Sequence, residues 1–305
     1  MTAMVVGIVA GAIVSTASVL YATLGEVIGE RAGIVNLGVE GQMLVGASIG
    51  FVTAAVTDSA LLGVGVAALA GALFNMVFGY LVVTRRTNQL ATGMAMWFLG
   101  LGLSTLIGSQ FVGRPIEGLQ ALELPGLSSL PSTYAQVFSQ DVLVYLMVPS
   151  AVAVWALLFH TRWGLHVRAV GEDPSTAVAA GLSPSWLQYQ ALGLAGALGA
   201  IGGAQLSLAY TKTWQEAMTA GRGFLAVVIV IFALWHPLRA LPGAFLFGAA
   251  VALGLALQAR GAPTSPFLLD MLPYLVTLTV ALLGARARAF TVPMGLRAVF
   301  EGTAG

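Results

Sequence analysis

Residues 60–83 read ALLGVGVAALAGALFNMVFGYLVV, a run of 24 residues without a charged side chain that ends just before Arg85 and Arg86. A helix rises about 1.5 Å per residue and the hydrocarbon layer is about 30 Å thick, so about 20 apolar residues cross it. Further apolar runs occupy residues 4–24, 42–57, 90–112, 141–159, 187–210, 223–235, 238–258 and 268–284. Lipid-exposed backbone must bond to itself, and alternating ten-residue strands are absent from the sequence. The sequence therefore predicts an all-α, polytopic transmembrane helical bundle of about eight to ten spans, some of them discontinuous.

The composition supports a membrane location for the whole chain. Of 305 residues, 58% are hydrophobic and 8% are charged, whereas an ordinary soluble domain has about 25% charged residues. The chain has no cysteine, which excludes disulfides, thiolate metal sites and a cysteine nucleophile. Its single lysine, Lys212, lies outside any GxxxxGK motif, so any ATP must be bound by another subunit. We expect one membrane domain over residues 1–305, with no cofactor or metal of its own.

The distribution of Lys and Arg predicts the orientation, because basic residues are enriched on the cytoplasmic side. With the C-terminus inside, nine basic residues fall in cytoplasmic loops, namely Arg31, Arg85, Arg86, Arg162, Arg168, Arg239, Arg286, Arg288 and Arg297. Four fall on the opposite side, namely Arg114, Lys212, Arg222 and Arg260. We therefore expect a multi-pass protein of the cell (inner or plasma) membrane with a cytoplasmic C-terminus. Nine crossings would place the N-terminus outside.

One unusual polar segment, residues 25–42, reads GEVIGERAGIVNLGVEGQ. A charge at the centre of a lipid-facing helix costs about 2.5–3.5 kcal/mol, and this segment carries Glu26, Glu30, Arg31 and Glu40. It is therefore not an ordinary span. Its glycines at every fourth position suit close helix packing, which predicts a discontinuous helix inside the protein with Asn36 and Glu40 near the break. The alternative is a cytoplasmic loop in which Glu30 and Arg31 face water.

A second unusual segment lies in the other half of the chain, from Trp214 to Pro237. It contains Glu216, Arg222 and two nearby glycines, followed by only thirteen apolar residues. Thirteen residues are too few to cross a bilayer alone. Short, Gly- or Pro-interrupted apolar segments in both halves of a transporter indicate its substrate pathway. Both segments place a glutamate before an arginine and a glycine, a weak hint of an internal repeat.

Uncharged polar side chains at the depth of the spans complete the predicted pathway. Buried amides and indoles need hydrogen-bond partners, and a passing solute can be one of them. Each single residue could equally bond a neighbouring helix, but as a set they indicate a pathway for a neutral polar solute. The predicted pathway residues are Asn36, Glu40, Asn75, Asn88, Gln89, Trp97 and Gln205.

Residues 160–186 contain the signals of a short capped helix. Asp173 is a good N-cap, Pro174 suits the first helical position, and Gly181 can end the helix in the left-handed conformation. Two helical turns are unstable alone in water, so the helix must pack on something. Its small side chains suit a groove on another protein, although it could also lie on its own bundle.

Three motifs, GERAGIVNLGVEGQMLVGA, TNQLATGMA and AVGEDPSTAVAAGL, make the chain resemble the permease subunits of ABC importers, in the branch that serves simple sugars and nucleosides. The resemblance extends from about residue 20 to 284. It implies that residues 171–182 form the coupling helix that docks on an ATP-binding subunit, with Glu172, Asp173, Pro174, Ala180 and Gly181 matching the family pattern. It also implies a complex of two permeases, identical or not, two ATP-binding chains and an extracytoplasmic solute-binding protein.

The predicted function is thus an ATP-driven import pathway that works by alternating access for a nucleoside or simple sugar. Trp97 and other aromatic residues could stack a base, which favours nucleosides. An ion-coupled secondary transporter of a small neutral solute is the alternative, since its broken helices would look the same. We do not expect an enzyme, because His160, His166 and His236 form no HExxH motif and the aspartates lie at span ends.

Overall fold

The computed structural model describes residues 2–122, 132–261, 265–284 and 293–296. The α-helices of these residues are α1 Thr2–Arg31, α2 Val39–Thr57, α3 Ala60–Gly79, α4 Gln89–Gly108, α5 Ser132–Phe138, α6 Val142–His160, α7 Arg162–Glu172, α8 Pro174–Ala179, α9 Pro184–Gln205, α10 Arg222–Phe232, α11 Pro237–Ala259, α12 Pro266–Asp270 and α13 Leu272–Gly284. A π-helical turn extends α3 to Thr84 and another extends α9 to Tyr210, while a 3₁₀ turn extends α4 to Phe111.

Helices account for all the apolar runs identified in the sequence. Seven helices in the described part of the chain are long and apolar enough to cross a membrane, and two shorter apolar helices cover Arg222–Phe232 and Phe267–Thr279. The prediction of an all-α, polytopic bundle is therefore confirmed. Of the arginines used for the orientation, Arg286, Arg288 and Arg297 lie outside the described residues.

The centre of the bundle is built from α1, α2 and α9. In the apolar windows of α2 and α9, 72% of the residues are buried, compared with 28% in α4 and α6. Small residues allow the central helices to approach one another closely. A Cβ added to Gly203 on α9 would lie 1.8 Å from the Met43 carbonyl oxygen on α2. In the peripheral helices α4 and α6, most residues of these windows are instead partly or fully exposed, as on helices that face lipid or a partner.

The polar segment 25–42 is buried inside the bundle, as the discontinuous-helix prediction requires. Glu26 and Glu30 belong to the continuous helix α1 and are 1% and 0% exposed. The helical structure stops at Arg31, and α2 starts at Val39, so Asn36 lies in the interruption and Glu40 just after it. The alternative of a loop in water is wrong for Glu30.

The second segment, from Trp214 to Pro237, is also interrupted. Residues 211–221 form bends and turns, and α10 then runs for only 11 residues. Trp214 is fully buried against Gly108, at the end of α4. The prediction of a short, incomplete helix is confirmed, whereas the internal repeat stays a prediction.

Candidate functional site

The two interruptions meet near the middle of the bundle. Gln89, at the start of α4, bonds to the backbone of the first interruption at Val35, while the backbone of Gly41 on α2 packs against Met96 and Trp97. Trp97 is eight residues from Gln89, a rise of about 12 Å. Hence α2 begins roughly halfway along α4. The second interruption runs from the far end of α4, where Trp214 packs, to this same level.

The carboxylate of Glu40 joins the starts of α2 and α10. Its Oε1 accepts hydrogen bonds from the Thr219 hydroxyl at 2.6 Å and the Gly221 N–H at 2.7 Å. Its Oε2 accepts one from the Gly223 N–H at 2.6 Å. These donors belong to the N-terminal end of α10, where unpaired N–H groups and the helix dipole favour a negative charge. Glu40 is therefore the anion bound by this helix end.

Glycines make this contact possible. Gly221 adopts a left-handed conformation, with φ of 82°, immediately before α10, which glycine accepts at no steric cost. A Cβ on Gly223 would lie 2.5 Å from the Glu40 Cα atom. The backbones must therefore approach closely at this point. The sequence shows the Gly221 and Gly223 pair, but it does not show that their partner is Glu40, 181 and 183 residues earlier.

Aromatic side chains lie beside the junction. The partly buried Trp97 ring stacks on Phe98 at 4.6 Å between ring centroids and meets Phe224 edge-on at 5.0 Å. Phe98 is 58% exposed. Phe224, in the first turn of α10, was missed by the sequence reasoning. The structure thus brings two of the predicted pathway residues, Glu40 and Trp97, to one level together with Phe224.

A separate group of predicted pathway residues holds the first interruption in place. The Asn36 Nδ2 donates to the Asn75 Oδ1 at 3.0 Å, and the Asn75 Nδ2 donates to the Leu192 carbonyl at 2.6 Å. The Asn36 Oδ1 accepts from the Gly38 N–H at 2.7 Å, and the Gln89 Oε1 accepts from the Val35 N–H at 3.0 Å. These amides fasten the interruption to α3, α4 and α9.

The remaining predicted pathway residues lie apart from both groups. Asn88 is the N-cap of α4 and accepts from the Ala91 N–H at 3.0 Å. Gln205 is fully buried in α9, where its Nε2 reaches the Val14 carbonyl at 3.5 Å and its Oε1 has no partner among the described residues. Gln42, which the sequence reasoning did not select, is buried on α2 with both amide atoms unpartnered there.

The short capped helix is present as α8. The Asp173 Oδ1 accepts from the Ser175 N–H at 2.8 Å and the Thr176 N–H at 3.3 Å, and Gly181 ends the helix with φ of 80°. Hydrogen bonds from both neighbouring side-chain hydroxyls hold the pKa of Asp173 below its usual value, so the cap stays ionised at neutral pH. Only Ala177 of α8 is buried. The exposed faces of Pro174 and Ala180 are therefore free for contact with another protein.

The segment before α8 packs directly on the end of α1. A Cβ on Gly171 would lie 2.1 Å from the Arg31 carbonyl oxygen. The Arg31 guanidinium in turn donates to the carbonyls of Trp235 at 3.0 Å and Leu234 at 3.4 Å, just beyond α10. The Trp235 indole donates to the Glu30 Oε2 at 2.5 Å. The ends of α1 and α10 and the segment leading to α8 thus form one cluster.

The backbone of this cluster is strained. Leu234 and Trp235 are consecutive left-handed residues, with φ of 53° and 54°, a conformation that costs about 1–2 kcal/mol for each non-glycine residue. The bonds from Arg31 and to Glu30 offset that cost. They explain why Glu30 and Arg31 are retained at the end of α1.

Comparison with known proteins places the chain among transport components. Residues 7–281 match the family described as the permease component of branched-chain amino acid transport systems. A protein named as a glucose ABC transporter permease in Haloferax volcanii is 40% identical over 251 residues, which are 81% of this chain and 76% of the relative. A guanosine ABC transporter permease of Bacillus subtilis is 30% identical over 92% of each chain.

A nucleoside ABC transporter permease of Lactococcus lactis is 31% identical over 288 residues, which are 90% of each chain. No solved structure matches the chain.

Proposed function

Since the chain belongs to the family of permease components of branched-chain amino acid transport systems, we propose that it forms the membrane pathway of an ATP-driven ABC importer for a neutral nucleoside or sugar. The relatives named for glucose, guanosine and nucleosides support this class of cargo. The family's own description points to amino acids. The structure offers a physical reason to favour the neutral solutes.

The observation that carries this choice is the position of Glu40. In transporters with interrupted helices, the N-terminus of a half-helix commonly receives the carboxylate of the substrate. Here the N-terminus of α10 already holds the Glu40 carboxylate through three hydrogen bonds. An amino acid would have to displace this carboxylate or place its own negative charge beside it. A neutral cargo meets no such repulsion.

The aromatic residues at the same level suit the flat or apolar faces of such a cargo. Trp97 and Phe224 lie edge to face at 5.0 Å, beside the exposed Phe98. Aromatic faces stack on nucleobases and pack on the C–H faces of sugars. We place the cargo contact on this aromatic side of the junction, which favours a nucleoside over a simple sugar.

We further propose how ATP drives the movement. The chain works with a second permease, two ATP-binding subunits that hydrolyse ATP, and an extracytoplasmic solute-binding protein, and it needs no cofactor of its own. Residues 171–182 dock on an ATP-binding subunit, and the contact of Gly171 with Arg31 passes the movement to the ends of α1 and α10. The Glu40 junction then opens to one side at a time. In this arrangement α8 and the C-terminus are cytoplasmic.

The experiment that tests this function is reconstitution with the partner subunits. A permease of this class retains an ATPase partner in mild detergent, and the assembled complex takes up guanosine or glucose in the presence of ATP. An ion-coupled secondary transporter would instead transport when reconstituted alone. Uptake without any ATPase would overturn the proposal.

A variant of α8 tests the docking step. Asp173→Leu removes the helix cap and puts a bulky apolar side chain on the docking surface, at a cost of about 1 kcal/mol for the cap. We expect ATP hydrolysis to continue while uptake per ATP falls, with the bundle still folded. Asp173→Asn is the matched control, because asparagine caps helices equally well. Unchanged uptake in Asp173→Leu would exclude the docking role.

A further inference from the structure

A cavity apart from the aromatic side of the junction reaches the start of α10. It has a volume of about 380 Å³ and lies between the end of α9, the start of α10, and α11, α12 and α13. Its lining includes Tyr210, Ala220, Arg222, Phe247, Asp270 and Tyr274. This volume falls in the range of small-molecule pockets, which are mostly apolar with a few placed polar groups.

The cavity extends from the outer end of the bundle to its middle. Leu255 and Phe247 both line it, and they precede the end of α11 at Ala259 by four and twelve residues. These separations correspond to depths of about 6 Å and 18 Å below that end of the helix. In the orientation given by the basic residues, this end is the extracytoplasmic one. A solute arriving from outside would therefore descend along Asp270 towards Arg222.

Arg222 forms the polar floor of the cavity. Its Nη1 donates to the carbonyls of Met218 and Thr219, both at 3.2 Å, while its buried Nε has no partner among the described residues. A guanidinium at this depth is costly, and such residues usually serve transport or binding. Arginine can only donate hydrogen bonds. A ligand held on this floor must therefore offer acceptor oxygens.

The other polar groups restrict the kind of acceptor. The exposed Asp270 lines the cavity and accepts from the Gln258 Nε2 at 3.0 Å, so its negative charge would repel an anionic ligand there. The Tyr274 hydroxyl donates to the Ala220 carbonyl, which sets its ring, 43% exposed, along one wall. Phe247 supplies an apolar surface on the α11 side. A neutral molecule with hydroxyl groups and a flat or C–H face fits these features.

We propose that this cavity is a cargo subsite that recognises the vicinal hydroxyl groups of a ribose or hexose. Arg222 donates hydrogen bonds to these hydroxyl groups, and the Tyr274 ring forms one wall of the subsite. The proposal rests on the proposed function and specifies where the hydroxyl groups are bound. The hydroxyl oxygens accept from the guanidinium, and the ring packs on the tyrosine and on Phe247. In this proposal the cavity binds the cargo before the cargo reaches the Glu40 junction.

The test uses the natural absence of cysteine in the chain. In the assembled transporter, Ala220→Cys places one thiol in the cavity lining, where a membrane-impermeant methanethiosulfonate reagent added outside should react with it. Guanosine or glucose, as the transported probe, should slow this labelling about tenfold at a saturating concentration. The matched control is Leu253→Cys on α11, which is 39% exposed and outside the cavity lining. It should react only with a lipid-soluble maleimide, without protection by solute.

Changing Arg222 isolates the recognition step. In the Ala220→Cys background, Arg222→Gln should leave labelling without solute unchanged. The solute concentration that halves the labelling rate should rise about tenfold, because one hydrogen bond from a charged group is lost. Should that variant not fold, analogues provide the same test with Arg222 intact. If guanosine is the solute that protects the thiol, 2′,3′-dideoxyguanosine should protect at least tenfold less well. If glucose is the protecting solute, 1,5-anhydro-2,3-dideoxyglucitol should show the same loss.

The outcomes separate the subsite from the function. If Ala220→Cys reacts only with the lipid-soluble reagent, the cavity holds lipid and the proposal is wrong. Equal protection with Arg222→Gln, or by the deoxy analogues, also overturns it, even when the cysteine-free parent transports normally. If the parent complex transports neither guanosine nor glucose, the proposed function fails together with the subsite.

Discussion

The two interruptions of the bundle, residues 32–38 and residues 211–221, differ in what covers them. In the first, Val35 and Asn36 are buried and bonded to side chains of neighbouring helices. In the second, Trp214 and Thr219 are buried, but Gln215, Glu216, Ala217 and Ala220 are exposed. Irregular backbone at membrane depth is tolerated only inside protein or along a water-filled cavity. The first interruption satisfies this rule within the chain, and the second needs water or a partner protein.

Backbone strain follows the same division. In the second interruption, Lys212, Ala217 and Ala220 adopt left-handed conformations, with φ of 53°, 52° and 48°. In the first, the residue with positive φ is Gly33, at 84°, which bears no steric cost. Strain of this kind collects at functional sites. We therefore propose that the first interruption supports the bundle and that the second is the working surface, with Glu40 joining the two.

The largest effect is expected from breaking that bond. Glu40→Leu would leave the Thr219 hydroxyl and the N–H groups of Gly221 and Gly223 without their acceptor in a buried place. Each orphaned donor costs about 1–3 kcal/mol, so the variant should lose about 3 kcal/mol or more of stability and all uptake. Thermal unfolding in detergent and uptake by proteoliposomes measure the two losses.

Glu40→Gln is the matched control for this variant. It keeps one acceptor oxygen but lacks the charge that the helix end favours, and we expect an intermediate melting temperature. If Glu40→Leu expressed and transported normally, the carboxylate would not join the two interruptions, and the argument for a neutral cargo would fail with it.

A smaller effect is expected from a substitution that weakens the hydrogen bonds of the first interruption. Asn75→Leu removes the acceptor of the Asn36 amide and the donor to the Leu192 carbonyl, and should cost about 1–3 kcal/mol. The concentration of solute for half-maximal uptake should not change, because these amides bond to the chain itself. Adding Asn36→Leu removes the unpaired Asn36 amide but also removes the acceptor of the Gly38 N–H, so it should restore no stability. If the solute concentration for half-maximal uptake rose while stability stayed normal, Asn75 would contact the cargo and not only neighbouring helices.

Local sequence was enough to predict much of this architecture. The apolar runs predicted the helices, because an apolar run of about 20 residues is what a spanning helix needs. The N-cap Asp173, Pro174 and Gly181 predicted α8, because helix capping depends on neighbours within a few residues. The charge density of residues 25–42 also predicted burial and interruption. These predictions needed no knowledge of tertiary contacts.

The partners of the polar residues could not be predicted in the same way. Glu40 bonds to residues 179 to 183 positions away, and Asn75 to one 117 positions away. Nothing within a single apolar run distinguishes a buried amide that bonds a neighbouring helix from one that faces cargo. Phe224 was missed for the same reason, since it is one aromatic residue among apolar ones until α10 is placed beside Trp97.

The smallest effect is expected at Glu216, and it tests whether the second interruption faces water or a partner. Glu216 is exposed, so Glu216→Leu should change the free energy of unfolding by no more than about 0.5 kcal/mol. A thiol introduced by Glu216→Cys should react with an impermeant reagent in the isolated permease. In the assembled transporter, loss of this reaction would identify a protein cover, and its persistence would identify an aqueous cavity. A large gain in stability in Glu216→Leu, with no labelling of Glu216→Cys in the isolated permease or in the assembled transporter, would mean that lipid covers the segment. The second interruption would then not be the working surface.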